Sequence, residues 1–262
     1  MIQARMIMHP EDAKAIQVLK KVPGIDRIAE FVMAEGYEDY YRGENLGELV
    51  QVNEKNFPAV YRDFQDVVGK VGIKMPELYI YNSPWMNAYT YGEFRTFIAL
   101  SSALIEGMTR DELRCIIAHE CGHIVCHHTY YKTVLAIIEE FGENFGVITQ
   151  TAVAPVAMAI RAWDRSSELS ADRCAAAVEG ERSFQAANLK LACGIKDIKG
   201  DPYQLVRQAK EYKQVVGKTL IDRIFQGFRI AFNTHPQMCH RAMEIDRWKN
   251  SWQYRTLRES FA

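Results

Sequence analysis

The 262 residues contain no Cys-x-x-Cys pair, no charge imbalance beyond a net −1, no repeat and only seven histidines. Each absence removes a class of protein. The six cysteines, Cys115, Cys121, Cys126, Cys174, Cys193 and Cys239, are scattered, which argues against a redox motif or a zinc ribbon. Four of them fall in segments that read as helix, where cysteine packs as a small apolar residue. The opening stretch MIQARMIMHPEDAKAI has no apolar leader, so a disulfide framework is not expected. A reducing, cytoplasmic setting is, with a membrane-peripheral one as the minor alternative. With 32 basic and 33 acidic residues the chain has no general field to draw in nucleic acid or an anionic membrane. Specificity therefore has to come from a local site.

One uncharged stretch, FGVITQTAVAPVAMAI from Phe145 to Ile160, invites a membrane reading. As a helix it would reach only about 24 Å against a hydrocarbon core of about 30 Å. It also carries Gln150, two threonines and Pro155. A buried or interfacial helix is the better expectation, so membrane association is possible but not favoured.

What is present is an ordinary globular composition, 48% hydrophobic and 25% charged. The first 40 residues read as two helices separated by Val22-Pro23-Gly24, and Gly43 and Gly47 then mark a loop. A short strand near Leu49 to Val52 precedes a helix over about Glu54 to Val71, with Phe57, Tyr61, Phe64 and Val68 forming its core stripe. From Glu77 to Leu100 the period changes. ELYIYN, NAYTYG and RTFIALSS are short Tyr-, Thr- and Ile-rich runs that read as a small antiparallel sheet. After Leu104 nearly everything reads helical, with turns near Gly180, Gly194 to Pro202 and His235-Pro236. The fold class is α+β, mostly helical, in one domain.

The chemistry gathers at HECGH, residues 119 to 123. Thr109 and Glu112 form a capping box that opens a helix running through it. On that helix His119 and His123 lie about 40° apart, so two imidazoles can share one ion while Glu120 stands beside it as a base. Two histidines on a core or surface helix are the bland alternative. His127 and His128 follow at once. His128 points about 180° away from His119 around the helix, so it cannot join the same ion, and His127 sits about 12 Å further along, so packing or surface roles are expected for both. A longer metzincin pattern would need glycine at 126 and histidine at 129, where this chain has Cys126 and Thr129. Among the downstream acids, Glu168 and Asp172 in SELSADR share one helical face. A glutamate there could complete a two-His, one-Glu site, with an aspartate one turn on accepting the free N–H of a ligand imidazole. A solvated acidic face is the alternative. Ala171 and Ala175, near the same face, would let this helix come close to Gly122.

HECGH at 119, ELSAD at 168, NAYT at 87 and THPQMCHR at 234 together resemble the HtpX-like zinc metallopeptidases, a gluzincin family related to the type 1 CAAX prenyl proteases. The resemblance extends over about residues 70 to 245 and suggests a soluble, bacterial-type member with a zincin-type metallopeptidase domain. It implies one zinc ion per chain held by His119, His123 and Glu168, with Glu120 as general base and Asp172 supporting the ligands. It also implies that His235 and Arg241 flank the site, where such donors can stabilise an oxyanion. NAYT becomes the edge of the sheet, where a peptide in extended form can pair with Asn87, Ala88 and Tyr89. The division that follows is an N-terminal helical region over 1–72, a catalytic core over 73–250 with a helical insertion at about 130–162, and a C-terminal tail over 251–262. Membrane-bound relatives carry spanning helices near that insertion, whereas here Glu139, Glu140 and Glu143 interrupt it. The expected activity is zinc-dependent endoproteolysis. The alternatives are a silent zinc-containing scaffold, or a protease held at a membrane.

Overall fold

The computed structural model describes residues 1–34, 37–141, 147–218, 221 and 236–261. Helices dominate, as expected. They run in order α1 (Ala4–Ile7), α2 (Pro10–Leu19), α3 (Ile25–Ala34) and α4 (Tyr37–Glu48), then α5 (Pro58–Val71) after the short strand β1 (Val50–Gln51). The strands β2 (Glu77–Tyr81), β3 (Ala88–Tyr91) and β4 (Phe97–Ser101) follow. The second half comprises α6 (Ser102–Gly107), α7 (Arg110–Val125), α8 (Thr129–Phe141), α9 (Val147–Glu179), α10 (Glu181–Cys193), α11 (Gln204–Val215), α12 (Met238–Trp248) and α13 (Trp252–Phe261).

Local chemistry explains most boundaries. His9 caps α2 by accepting the Glu11 N–H, and Pro10 occupies the first turn, where its missing N–H costs nothing. Thr109 and Glu112 form the expected reciprocal box at the start of α7. Gly180, at φ +91°, provides the sharp junction between α9 and α10. Two expectations from glycine and aromatic spacing are corrected. Gly43 and Gly47 lie inside α4, because tertiary support overrides a propensity cost of about 1 kcal/mol per glycine. Phe57 is not part of the α5 stripe. It precedes Pro58, which disfavours the right-handed helical region, and it sits instead in the left-handed region at φ 48°, 43% exposed.

The sheet is mixed, which corrects the antiparallel expectation. Its strand order is β1-β2-β4-β3, with β2 and β4 parallel and the other two pairings antiparallel. Composition reveals a strand but not its direction. The informative feature is β4, buried at all five positions, which takes a central place and leaves β3 at the edge. The tip between β3 and β4 is tied down because the Glu38 carboxylate accepts the backbone N–H groups of Glu93, Phe94 and Arg95.

The principal core joins α5, α7, α9 and the sheet, through Phe64, Val67, Leu78, Ile98, Leu104, Ile117 and Ala175. A second cluster packs α2 and α3 on α8 and the first half of α9, through Leu19, Ile25, Val134, Ile137, Val156, Ile160 and Trp163. Val153, Val156, Ala157 and Ile160 of the uncharged stretch are thus covered by protein, and α9 continues through Pro155. Among the described residues no helix is long and apolar enough to cross a membrane. Within the C-terminal tail, residues 252–261 form a helix, with Arg258 donating to the Ala177 and Val178 carbonyls near the end of α9. No disulfide links the described cysteines.

Candidate metal centre

Every residue of α7 from Glu112 to His123 is buried, so this helix runs through the middle of the molecule. Its closest neighbour is α9. A Cβ placed on Gly122 would fall 2.7 Å from Cys174 Cβ and 2.9 Å from Ala171 Cα, so only glycine permits this approach. The contact between small residues that the sequence suggested is therefore present. It sets Glu168 and Asp172, one turn apart on α9, against the two histidines of α7.

The donor atoms converge. His119 Nε2 lies 3.5 Å from Glu168 Oε2, and His123 Nε2 lies 3.2 Å from Glu168 Oε1. The two imidazole planes are nearly perpendicular, at 86°. Ligands about 2.1 Å from a tetrahedral zinc ion stand about 3.4 Å from one another, so these separations suit a shared ion. Among the described residues His119, His123 and Glu168 form a buried group whose ligand atoms all lie within 4.8 Å of one another.

Both Nδ1 atoms face away from that point and are engaged. His119 Nδ1 is 3.0 Å from Asp172 Oδ1. Asp172 in turn accepts from Arg241 Nε at 2.8 Å and Nη2 at 2.5 Å. Arg241 therefore grips Asp172 with two of its three nitrogens, and only Nη1 faces Glu168 Oε2, at 3.8 Å. Arg241 also lines a cavity together with His119, Glu120 and Glu168. His235 lies outside the described residues.

Burial opposes charge on His119, but the carboxylates of Asp172 and Glu168 outweigh it and push its pKa up to about 9. Burial holds His123 far below the ordinary range, and the Lys132 ammonium adds to that depression. For Glu120 burial raises the carboxyl pKa, against the lowering pull of His119 and Lys132. Its Oε2 is buried with no hydrogen-bond partner among the described residues. An unpartnered carboxylate oxygen beside converging metal donors is where an incoming polar group or water belongs.

Two cavities flank Glu120 and share Asn87, Ala88, His119 and Glu168 in their walls. One, of about 130 Å³, is largely apolar, with Leu104, Ile116, Phe184 and Leu191 in its lining. The other, of about 270 Å³, is polar, with Lys132, Glu139, Arg161 and Asp164 from α8 and α9. The helical insertion thus forms a wall of the cleft. The strand β3 edges the sheet there, and Asn87 is fixed by a backbone bond from Ser101 N and by its own N–H to Ser101 Oγ.

Two features were missed in the sequence. Lys132 places its ammonium 3.0 Å from Asp164 and 3.4 Å from Glu168. Its signal was a lone charge in an otherwise uncharged stretch of α8, a pattern that marks a buried, paired lysine. The second is His128. The expectation that it points away assumed that α7 continues, but α7 ends at Val125 and His127 adopts φ 56°. That turn brings His128 Nδ1 to 3.0 Å from His123 Nδ1. His127 is exposed, as a surface role required.

The family model described as Peptidase family M48 matches residues 54–249. The chain is also 28% identical, over 255 residues, to the plastoglobule-localized metallopeptidase 48, chloroplastic, of Arabidopsis thaliana. That alignment covers 95% of this chain and 74% of the relative. With about three quarters of its length inside the matched span, the chain belongs to peptidase family M48 and is a metalloprotease.

Proposed function

We propose that the protein is a zinc-dependent endopeptidase whose metal is held by His119, His123 and Glu168. The observation that carries this reading is the convergence of the three donor groups beside the unpartnered Glu120 Oε2. Two imidazoles, each of which gives up the proton on its ligating nitrogen when it binds an ion, and a carboxylate are a donor set that zinc takes, with a position left open. Zinc bound there would polarise the scissile carbonyl and make a water acidic enough to attack it near neutral pH.

The chain's own groups account for the rest. Glu120 accepts the proton of the attacking water and delivers it to the departing amine, a role suited to a carboxyl whose pKa burial has raised. Asp172, fixed by Arg241, orients His119. His235 and Arg241 are the oxyanion donors in this reading, Arg241 holding Asp172 as well. The substrate adds as an extended strand along β3, at Asn87, Ala88 and Tyr89, with side chains entering the cavities on either side. Space on both sides of Glu120 supports cleavage within a chain rather than at its end. A cytoplasmic location completes the reading; the name of the Arabidopsis relative places that protein at plastoglobules.

The test is Glu120→Gln. Cleavage of a peptide library by the unmodified protein should be chelator-sensitive, and the variant should retain zinc while losing cleavage. A zinc-loaded variant that cleaves at the unmodified rate would refute the assignment of the base. Zinc-loaded unmodified protein that cleaves nothing would point to a silent scaffold.

A further inference from the structure

Asp12 stands on α2, outside the span that the family model matches, yet it is 1% exposed and reaches toward the metal centre. Its Oδ2 lies 2.9 Å from His128 Nε2, and His128 Nδ1 lies 3.0 Å from His123 Nδ1. The carboxylate is itself held on other sides. Ser170 Oγ donates to Oδ2 at 2.6 Å, and Trp163 Nε1 donates to Oδ1 at 3.0 Å. These contacts and His128 keep the Asp12 pKa low although burial pushes the other way.

Only one proton order satisfies this chain when His123 binds a metal. A ligand imidazole offers its Nε2 lone pair, so a neutral His123 must carry its proton on Nδ1. That proton is donated to His128 Nδ1, which must then be bare. His128 consequently holds its own proton on Nε2 and donates it to Asp12, an acceptor on both oxygens. We propose that Asp12 and His128 form a relay that holds His123 in its metal-binding tautomer and orientation, so that α2 is a working part of the metal centre. His128 and Asp12 are positioning residues, acting on the metal only through His123.

The arrangement serves more than packing. Three polar side chains, each at most 2% exposed, are linked in series over 116 residues of sequence. Burying such groups is favourable only when every donor finds an acceptor. The left-handed backbone at His127, uncommon outside glycine, is what delivers His128 to this place. Partners behind metal-bound histidines fix ring orientation and raise ligand basicity, and their loss typically weakens metal binding about 10- to 100-fold.

This inference rests on the metal reading of His119, His123 and Glu168, and the experiment separates the two. Zinc dissociation constants are measured by chelator competition for the unmodified protein, His128→Phe and Asp12→Ala, with circular dichroism of each metal-free protein as the folding control. Nitrogen NMR of the histidine rings is recorded on the zinc-loaded unmodified protein. Both variants should fold and bind zinc about 10- to 100-fold more weakly, and His128 should carry its proton on Nε2. Folded variants with unchanged affinity, or His128 protonated on Nδ1 alone, would overturn the relay while leaving the metal site standing. Unmodified protein that binds no zinc would overturn both. Should a variant fail to fold, the NMR assignment decides the question.

Discussion

His119 and His123 occupy adjacent turns of one helix and face the same glutamate, yet their surroundings are opposite in kind. His119 meets a carboxylate directly: Asp172 is 3.0 Å from its Nδ1 and is fixed by Arg241 of α12. His123 meets a carboxylate at its Nδ1 side only through another imidazole, His128, which passes its bond to Asp12 of α2. Charge follows contact. Burial opposes charge at both rings; at His119 the near carboxylates overcome it and lift the pKa to about 9, whereas at His123 burial dominates and lowers it. One helix therefore carries two histidines with surroundings from different parts of the chain, one from α9 and α12, the other from the N-terminal helix α2.

The His119 side breaks most completely at Arg241. Replacing it with Met leaves Asp172 buried without its cation, which should cost about 3–5 kcal/mol of stability, measured by denaturant unfolding. A control that strikes both sides alike is Gly122→Ala. The added methyl meets Cys174 and Ala171 within 3 Å, so α7 and α9 must separate, at a cost of about 1–3 kcal/mol. Zinc affinity should fall for that variant as well, since Glu168 moves away from both imidazoles together. The comparison itself is sharpened by Asp172→Asn against His128→Phe. Asp172 sets a carboxylate directly against the His119 ring, whereas His128 sets an imidazole against His123, so loss of Asp172 should weaken zinc binding more than loss of His128, each within about 10- to 100-fold. Equal losses would mean that the relay is as effective as direct contact.

The smallest effect concerns the strap between the two sides. His9, the cap of α2, reaches Glu244 of α12 at 3.3 Å. This hydrogen bond, reinforced by Arg247 and opposed by burial, takes the Glu244 pKa from 4.5 down to about 2. A carboxylate whose folded pKa is depressed contributes stability above its unfolded value and loses that contribution as pH falls. Stability should therefore decline from about pH 4.5 toward pH 2, and Glu244→Gln should flatten that limb of the profile.

Much of the His119 side is legible in the sequence. The capping box at Thr109, the four-residue spacings of His119 with His123 and Glu168 with Asp172, and the small residues opposite Gly122 are all local helical patterns. The His123 side is not. Its relay depends on the helix ending at Val125, and no glycine or proline marks the turn at His127. Asp12 lies 116 residues from the histidine it supports, a pairing fixed only by how α2 packs on α9. The sheet divides in the same way: the Tyr-, Thr- and Ile-rich runs revealed its strands, but composition carries no sign of the parallel pairing of β2 with β4. Gly43 and Gly47 read as a loop because propensity alone does not register the tertiary contacts that hold α4.

The central claim is that His119, His123 and Glu168 hold one catalytic zinc. Elemental analysis of the purified protein and of His123→Ala, each equilibrated with zinc and then freed of loose ions, tests it most directly. One zinc per chain in the unmodified protein and none held stoichiometrically by the variant is the expected result. No zinc in the unmodified protein, or one per chain in both, would contradict it.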